Sequence, residues 1–304
     1  MSNNFKNDIL KKIKYSTLND GFSEKIYMQL ENLIQVALDE DLGDLGDVTS
    51  NAILKGNEKG TARILAKQNG IFAGGFAVIM VYVYIDPSVL VTMKANEGDI
   101  IKDRQIVIVI EGSIKNILIG ERTALNFLSR MSGVATLTNE FVKAAERSHV
   151  KILDTRKTMP GWRFLDKYSV AVGGGYNHRI GLFDMFLLKE NHIEASGGIK
   201  NAVSLCKNYL KINGLKYKIE VETKNINEVE EAIKCGVDRI MFDNMSVQEI
   251  KEAVKLINAK SETEISGGIS FENFNNYLNL GVNYISIGKL THSSKAFDYS
   301  LLID

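Results

Sequence analysis

The chain has little cysteine: Cys206 and Cys235 are the only two in 304 residues, and neither stands in a CxxC or Cys/His spacing. Both fall in stretches of helical pattern, so they read as small buried apolar residues rather than as a disulfide or a thiolate metal site. No HExxH pattern accompanies His178 or His192, and zinc is not expected. Long hydrophobic runs are missing as well. The longest, about Phe76 to Ile85, falls far short of the roughly 20 residues of a membrane-spanning helix. The first residues, MSNNFKNDILKKIKYSTL, lack the apolar block of a signal peptide, which points to the cytoplasm. Neither sign of charge is in excess, since Lys plus Arg and Asp plus Glu both number 37. No global field draws nucleic acid or an anionic membrane, and any anion site has to be local.

What is there suits a soluble globular chain, with 45% hydrophobic and 24% charged residues and length for two domains. Residues 1–20 are polar and basic, with Ile9, Leu10 and Ile13 at helical spacing, the pattern of a short amphipathic helix or of disorder. From Glu24 to Leu38 the apolar residues Ile26, Leu30, Leu33, Ile34, Ala37 and Leu38 mark one face of a helix. The DEDLGDLGDVTS stretch then ends it. Asp39, Asp41, Asp44 and Asp47 offer oxygen ligands, but without the Glu and Gly of a calcium loop they read as turn and capping residues. Between Thr61 and Gly112 the pattern is mostly strand, with turns at Asn69-Gly70 and Gly98-Asp99 and a helix near Gly75 to Tyr84. The Gly-Asp hairpin resembles modules that carry biotin or lipoate. No modifiable Lys stands at its tip, so the hairpin is structural. Ile114 to Ser148 reads as helix, broken near Ser132-Gly133, with Arg122 and Asn126 one turn apart on a common face.

From Val150 onward the period becomes strand, loop, helix. Apolar strands end at Asp154, Lys189, Glu222, Asp243, Ser266 and Gly288, with a possible seventh strand near Tyr168 to Val172. That is fewer than the eight of a closed α/β barrel, so the expected fold is an N-terminal α+β sandwich followed by an incomplete, open parallel barrel. Functional residues in such barrels stand at the C-terminal ends of the strands, and this chain places charged residues and glycines there.

The stretch from Asp154 to His192 packs Arg156, Lys157, Arg163, His178, Arg179 and Lys189 between short apolar runs. Arginine forks, lysine point charges and a histidine together suit a small, multiply negative ligand. The paired loops Ile265 to Ile269 and Ser286 to Leu290 let backbone N–H groups approach an anion, so Ser266, Gly267, Gly268 and Gly288 form a candidate phosphate cradle near His292. Glu222 and Asp243 end successive strands, where their carboxylates can hold Mg²⁺ with a pyrophosphate or the hydroxyls of a sugar. Glu220 shares the parity of Glu222, and parity alone does not choose between them. These residues lead to an anionic, phosphorylated substrate but do not name a reaction.

The motifs DTRKT-x-PG from Asp154, GGG-x-NHR-x-GL-x-D from Gly173 and LLK-x-NH from Leu187 resemble the core signature of the nicotinate-nucleotide pyrophosphorylase, or quinolinate phosphoribosyltransferase, family. The resemblance extends to EDLG-x-x-GDVTS at Glu40 to Ser50, GERTALNFLSRMSG-x-AT at Gly120 to Thr136, Met241 to Met245, Ser266 to Ile269 and Tyr284 to Ser293. It implies transfer of the phosphoribosyl group of 5-phosphoribosyl-1-pyrophosphate to quinolinate, with loss of pyrophosphate and CO2. It also implies a barrel that is incomplete and a tail that returns to the N-terminal domain, with boundaries at 1–20, 21–149, 150–290 and 291–304. Carried over by position, Thr155, Arg156, Lys157, His178 and Arg179 bind quinolinate, joined by Arg122 from the partner subunit of a homodimer. Lys157 and Lys189 then lie near the pyrophosphate and the reacting centre, Glu222 and Asp243 near the ribose and Mg²⁺, and Ser266, Gly267, Gly268, Gly288 and His292 at the 5-phosphate. The glycosidic carbon develops positive character that carboxylates stabilise, and pyrophosphate has to be neutralised as it leaves.

Departures from the family pattern are small: Tyr176 after the glycines, Glu190 where Asp is common, and Thr223 with Lys224 in a usually more acidic stretch. A paralogue associated with molybdate transport would lack the intact NHR and K-x-NH patterns, and a type I phosphoribosyltransferase would show paired acidic residues before a Thr-Gly loop. A non-catalytic binder of a phosphorylated metabolite would need the glycine loops but not Arg122, Arg156, His178, Lys189, Glu222 and Asp243 together.

Overall fold

The computed structural model describes residues 3–13 and 20–304. Its elements begin with helices α1 (Asn3–Ile13), α2 (Asp20–Leu42) and α3 (Val48–Ile53), strands β1 (Lys59–Ala66) and β2 (Gly70–Ile71), and helix α4 (Gly75–Ile85). Strands β3 (Leu90–Met93), β4 (Ile100–Ile101) and β5 (Ile106–Ser113) then lead to helix α5 (Ile114–Ala144). The remainder runs β6 (Lys151–Leu153), α6 (Arg163–Val172), β7 (Phe186–Leu188), α7 (Glu190–Ser196), α8 (Ile199–Asn213), β8 (Ile219–Thr223) and α9 (Ile226–Cys235). It closes with β9 (Arg239–Asp243), α10 (Val247–Ile257), β10 (Glu262–Ser266), α11 (Phe271–Phe274), β11 (Tyr284–Ser286), α12 (Lys289–His292) and β12 (Tyr299–Ile303). The chain forms two compact units, one of residues 1–139, 158–174 and 293–304, the other of residues 140–157 and 175–292.

In the first unit an antiparallel sheet runs in the order β12-β1-β5-β3. Alternation explains β1: Ala62, Ile64 and Ala66 are buried while the residues between them face outward. The C-terminal tail returns to this sheet, with Ala62 to Ala66 pairing antiparallel to Ile303 to Tyr299. Of the N-terminal extension, Asn3–Ile13 is helical with Ile9 and Ile13 buried, and residues 1, 2 and 14–19 lie outside the described residues. In the acidic turn after α2, Asp47 is the N-cap of α3 and accepts the Ser50 N–H at 3.0 Å.

Two expectations for this unit are corrected. The run near Tyr168 to Val172, considered as a seventh strand, lies in α6, and the whole segment 158–174 belongs to the first unit rather than to the barrel. A short apolar run does not distinguish a buried helix from a strand. Tertiary contacts decide here: Gln29 Oε1 on α2 accepts the Phe164 N–H at 3.0 Å, and Tyr168 packs edge-on against Phe76 at 5.1 Å. The expected break at Ser132-Gly133 does not occur either, since α5 is continuous over 31 residues. A Cβ on Gly133 would come within 2.1 Å of the Lys295 carbonyl oxygen. The glycine is there to admit the returning tail.

The second unit contains a six-stranded sheet in the order β6-β11-β10-β9-β8-β7, with every neighbouring pair parallel. β6 and β7 are its two edges, so the barrel is open. Helices α9 and α10 cover it through buried Val229, Ala232, Ile250, Ala253 and Ile257. Asn225 caps α9, Ser246 and Glu249 form a capping box on α10, and Gly236 and Asn258 end these helices in the left-handed conformation. Cys206 on α8 and Cys235 on α9 are half-buried, not buried as expected, because they sit at the flanks of the packed helix faces.

Candidate active site

The C-terminal ends of the six strands surround a cavity of about 670 Å³. It is lined by Thr155, Arg156 and Lys157 after β6, by His178 and Arg179, by Lys189 after β7, and by Glu222 and Asp243 at the ends of β8 and β9. Ser266, Gly267 and Gly268 after β10, and Gly288 and His292 after β11, complete the wall. Every candidate site residue except Arg122 and Arg163 is thus gathered into one cavity, Arg163 standing at the start of α6 in the first unit. Arg122, on α5 in the first unit, lines a cleft of about 330 Å³ with Glu40, Asp41, Asn126 and Trp162.

The basic wall is held from behind by a buried carboxylate. Asp154 is fully buried and accepts from Asn177 Nδ2 at 2.6 Å and from the His178 N–H at 2.9 Å. Arg179 donates through Nη1 to the Met185 carbonyl at 3.2 Å. Burial, and then the charge of Arg156, pull Arg179 down from its usual pKa range, which leaves the pair in want of an anion. Arg156 says the same by geometry, since its Nε is buried with no hydrogen-bond partner. A buried donor left open on a cavity wall calls for an acceptor from the ligand.

On the acidic side, Lys189 Nζ lies 3.1 Å from Glu222 Oε2. Asp243 accepts from Asn244 Nδ2 at 3.0 Å, and Asn244 holds a left-handed backbone at φ 54° while its N–H donates to the Ser266 carbonyl. This packs Asn244 against the glycine loop: a Cβ on Gly267, itself at φ 95°, would come within 2.3 Å of Asn244 Oδ1. Gly288 is similarly close to neighbours, with Lys157 Cδ and His292 Nε2 about 3.0 and 3.1 Å from where its Cβ would be. Thr291 Oγ1 ties this loop to the other by donating to the Lys157 carbonyl at 2.8 Å.

The sequence pattern of the quinolinate phosphoribosyl transferase C-terminal domain matches residues 134–302, and that of the N-terminal domain matches residues 47–132. The chain belongs to the quinolinate phosphoribosyltransferase family. It is 44% identical over 290 residues to the quinolinate phosphoribosyltransferase [decarboxylating] 2a, mitochondrial, of Nicotiana tabacum, covering 90% of this chain and 82% of that protein. It is 41% identical over 275 residues to a probable nicotinate-nucleotide pyrophosphorylase [carboxylating] of Bacillus subtilis, covering 90% and 93% of the two chains. The solved nicotinate-nucleotide pyrophosphorylase of Francisella tularensis superposes with a TM-score of 0.85 at 35% identity, over 91% of this chain and 96% of that one.

In this member of the quinolinate phosphoribosyltransferase family a second group of charged residues lies beside the cavity residues. On the interior side of the sheet, Glu220, Arg239, Glu262 and Glu264 are brought together by strand register, Glu220 and Glu262 each pairing with Arg239. His178 Nε2 lies 3.1 Å from Glu220 and 3.4 Å from Glu264. Burial works against an imidazolium and the two carboxylates favour one, but the Arg179 N–H that donates to Nδ1 at 2.7 Å occupies the place a second ring proton would need, so the ring is neutral with its proton on Nε2; burial and the neighbouring Glu264 push Glu220 up to about 7. The ligand atoms of His178, Glu220 and Glu264 lie within 4.8 Å of one another. Arg239, 2.9 Å from Glu264 and 4.0 Å from Glu220, already takes the place a cation would have there. Glu220 was visible in the sequence through its parity with Glu222. Glu264 and Arg239 carried no local signal, since an alternating strand puts charge on either face.

Proposed function

We propose that this cavity transfers the phosphoribosyl group of 5-phosphoribosyl-1-pyrophosphate to the ring nitrogen of quinolinate, releasing pyrophosphate and CO2 and forming nicotinate mononucleotide. The reading is carried by the meeting of Arg156, Arg179, Lys157 and Lys189 with Glu222, Asp243 and both glycine loops in one cavity. Arg156 and Arg179, with Thr155 beside them, hold the two ring carboxylates, and His178 lines the same pocket. Lys157 and Lys189 neutralise the departing pyrophosphate. Glu222 and Asp243 stabilise the positive character that develops at the ribose carbon. Ser266, Gly267, Gly268 and Gly288 receive the 5-phosphate through backbone N–H groups, with His292 at the same loop. Alkylation makes the ring nitrogen cationic; the 2-carboxylate then leaves as CO2, its bonding pair stays on C2 beside the positive nitrogen as an ylide, and C2 takes up a proton from water. The protein supplies position and charge, and no general base is assigned.

The donor set at the ends of β8 and β9 suits Mg²⁺, which takes one or two carboxylates and completes its shell with substrate oxygens. Glu222 and Asp243 would hold it with the pyrophosphate, where it would supply further neutralising charge.

Two further points belong to this reading. Arg122 completes the site from the partner subunit of a homodimer. In support, Val36 beside Arg122 in its cleft is 62% exposed, and Leu45, Val48 and Ile53 nearby in sequence are also exposed, an apolar set that a second copy would cover. The cytoplasm is the proposed compartment, and no described helix is long and apolar enough to cross a membrane; cell fractionation checks it.

The deciding assay supplies quinolinate, 5-phosphoribosyl-1-pyrophosphate and Mg²⁺ and follows quinolinate loss with pyrophosphate release, nicotinate serving as the control acceptor. Turnover with quinolinate alone is expected. Turnover with nicotinate instead would move the activity to salvage, and a folded protein without turnover would make it a binder of phosphorylated metabolites.

A further inference from the structure

The buried charges beside the cavity demand an explanation of their own. Glu220 and Glu264 are completely buried, and Arg239, His178 and Ser286 nearly so. Arg239 Nη1 donates to Glu264 at 2.9 Å, Arg239 Nε and Nη2 donate to Glu262 at 3.2 and 3.1 Å, and Ser286 Oγ donates to Glu264. Glu220 accepts no well-aligned hydrogen bond on either oxygen; its carboxylate faces His178 Nε2 at 3.1 Å and the Arg239 guanidinium at 4.0 Å. A buried ionic cluster of this kind gives little net stability compared with well-packed apolar side chains. Its value has to be sought in what it holds.

What it holds is the His178 ring. The Arg179 N–H donates to His178 Nδ1 at 2.7 Å. Nδ1 is therefore an acceptor, and the ring's proton is on Nε2, facing Glu220 and Glu264. With Asp154 receiving the His178 N–H and the Asn177 amide, the Asn177 to Arg179 segment is tethered on one side by Asp154 and on the other by the carboxylate pair. Nδ1 accepts the Arg179 N–H, and Nε2 faces the two carboxylates at 3.1 and 3.4 Å. On the quinolinate reading above, the ring then acts as a strut that sets the Arg179 backbone, and the Arg179 guanidinium meets the ligand.

We propose that Glu220 and Glu264 are positioning residues for the dicarboxylate pocket: by holding the His178 ring through Nε2, they fix the Arg179 segment in the conformation that receives quinolinate. They do not touch the substrate. The carboxylate bound by Arg179 is a fixed handle in both the ground and transition states. Loosening it weakens quinolinate binding and leaves the chemical step nearly untouched.

The test is steady-state kinetics of Glu264→Gln, with Glu220→Gln as the second variant should the first fold poorly, joined to the ¹⁵N signals of His178 in the free protein. With four histidines in the chain, those signals are assigned by replacing the others singly. The expected result is a rise in the quinolinate KM of roughly tenfold, with kcat and the KM for 5-phosphoribosyl-1-pyrophosphate within about twofold. The wild-type His178 should show protonated Nε2 and unprotonated Nδ1, a pattern disturbed in the variants. Tyr284→Phe is the control: it removes the hydroxyl that donates to Glu262 at 3.2 Å, at the far side of the network from His178, and should leave both readouts in place. An unchanged quinolinate KM in folded variants, or a wild-type ring protonated on Nδ1, would overturn the proposal. Wild type that fails to turn over quinolinate would overturn the activity reading instead, and the His178 signals alone would then judge the tether.

Discussion

Gly267 illustrates how closely the site is built at the scale of single residues. Its φ of 95° is a region that residues with a Cβ avoid, and the space a Cβ would take is filled by the Asn244 side chain that also holds Asp243. A Gly267→Ala variant is expected to lose roughly 1–3 kcal/mol of stability from backbone strain. It should also bind 5-phosphoribosyl-1-pyrophosphate more weakly, because the loop and the Asp243 carboxylate shift together. Thermal denaturation and the KM for each substrate measure this; a variant with wild-type values in both would show that the loop is not under such constraint. The pair of glycines was legible in the sequence as an anion cradle. The reason Gly267 cannot be replaced was not, because it is an asparagine just beyond the end of β9, 23 positions away in the chain, that occupies the space.

At the scale of elements, α5 reverses an ordinary expectation. Alanine favours a helix interior over glycine by about 1 kcal/mol, so Gly133→Ala should stabilise α5 if the helix stood alone. Here the Cβ would meet the Lys295 carbonyl oxygen of the returning tail, beside the Phe297 N–H that donates to Ser129 at 2.9 Å. Gly133→Ala is expected to lower stability by roughly 1–3 kcal/mol, the usual range for overpacking, and a melting temperature above that of wild type would contradict this. Propensity placed a break at Gly133 because it sees only near neighbours in the chain. The same limit produced the strand reading of Tyr168 to Val172. Where local signals agree with the packing, as in the helix face of Ile26, Leu30, Ile34 and Leu38, all buried on α2, or the strands expected between Thr61 and Gly112, the elements were legible from the sequence.

For the whole molecule, the dimer reading makes a quantitative prediction. An Arg122→Ala chain keeps its own cavity but lacks the arginine it would lend; a Lys189→Ala chain lends the arginine but has a damaged cavity. Each alone should be nearly inactive. Mixed and allowed to exchange subunits, they should recover roughly a quarter of wild-type activity, since half the dimers are mixed and one of their two sites is intact. No recovery after demonstrated exchange would place Arg122 in its own chain's site or outside the reaction.

The sequence by itself determined the strand-end positions of the charged residues, the glycine loops and the motifs that mark the family, because these depend on period, spacing and neighbours within a few residues. At β8 strand parity allowed either Glu220 or Glu222, and the family pattern favoured Glu222. What separates the two physically is decided only by the tertiary structure. Glu222 stands at the cavity beside Lys189, whereas Glu220, two residues earlier, is level with Arg239 and faces His178. Side-chain parity is a property of one strand, whereas depth along a barrel is set by register between strands that are distant in sequence. The same holds for the buried cluster: four charges from three strands acquire a common role only when backbone pairing puts them side by side.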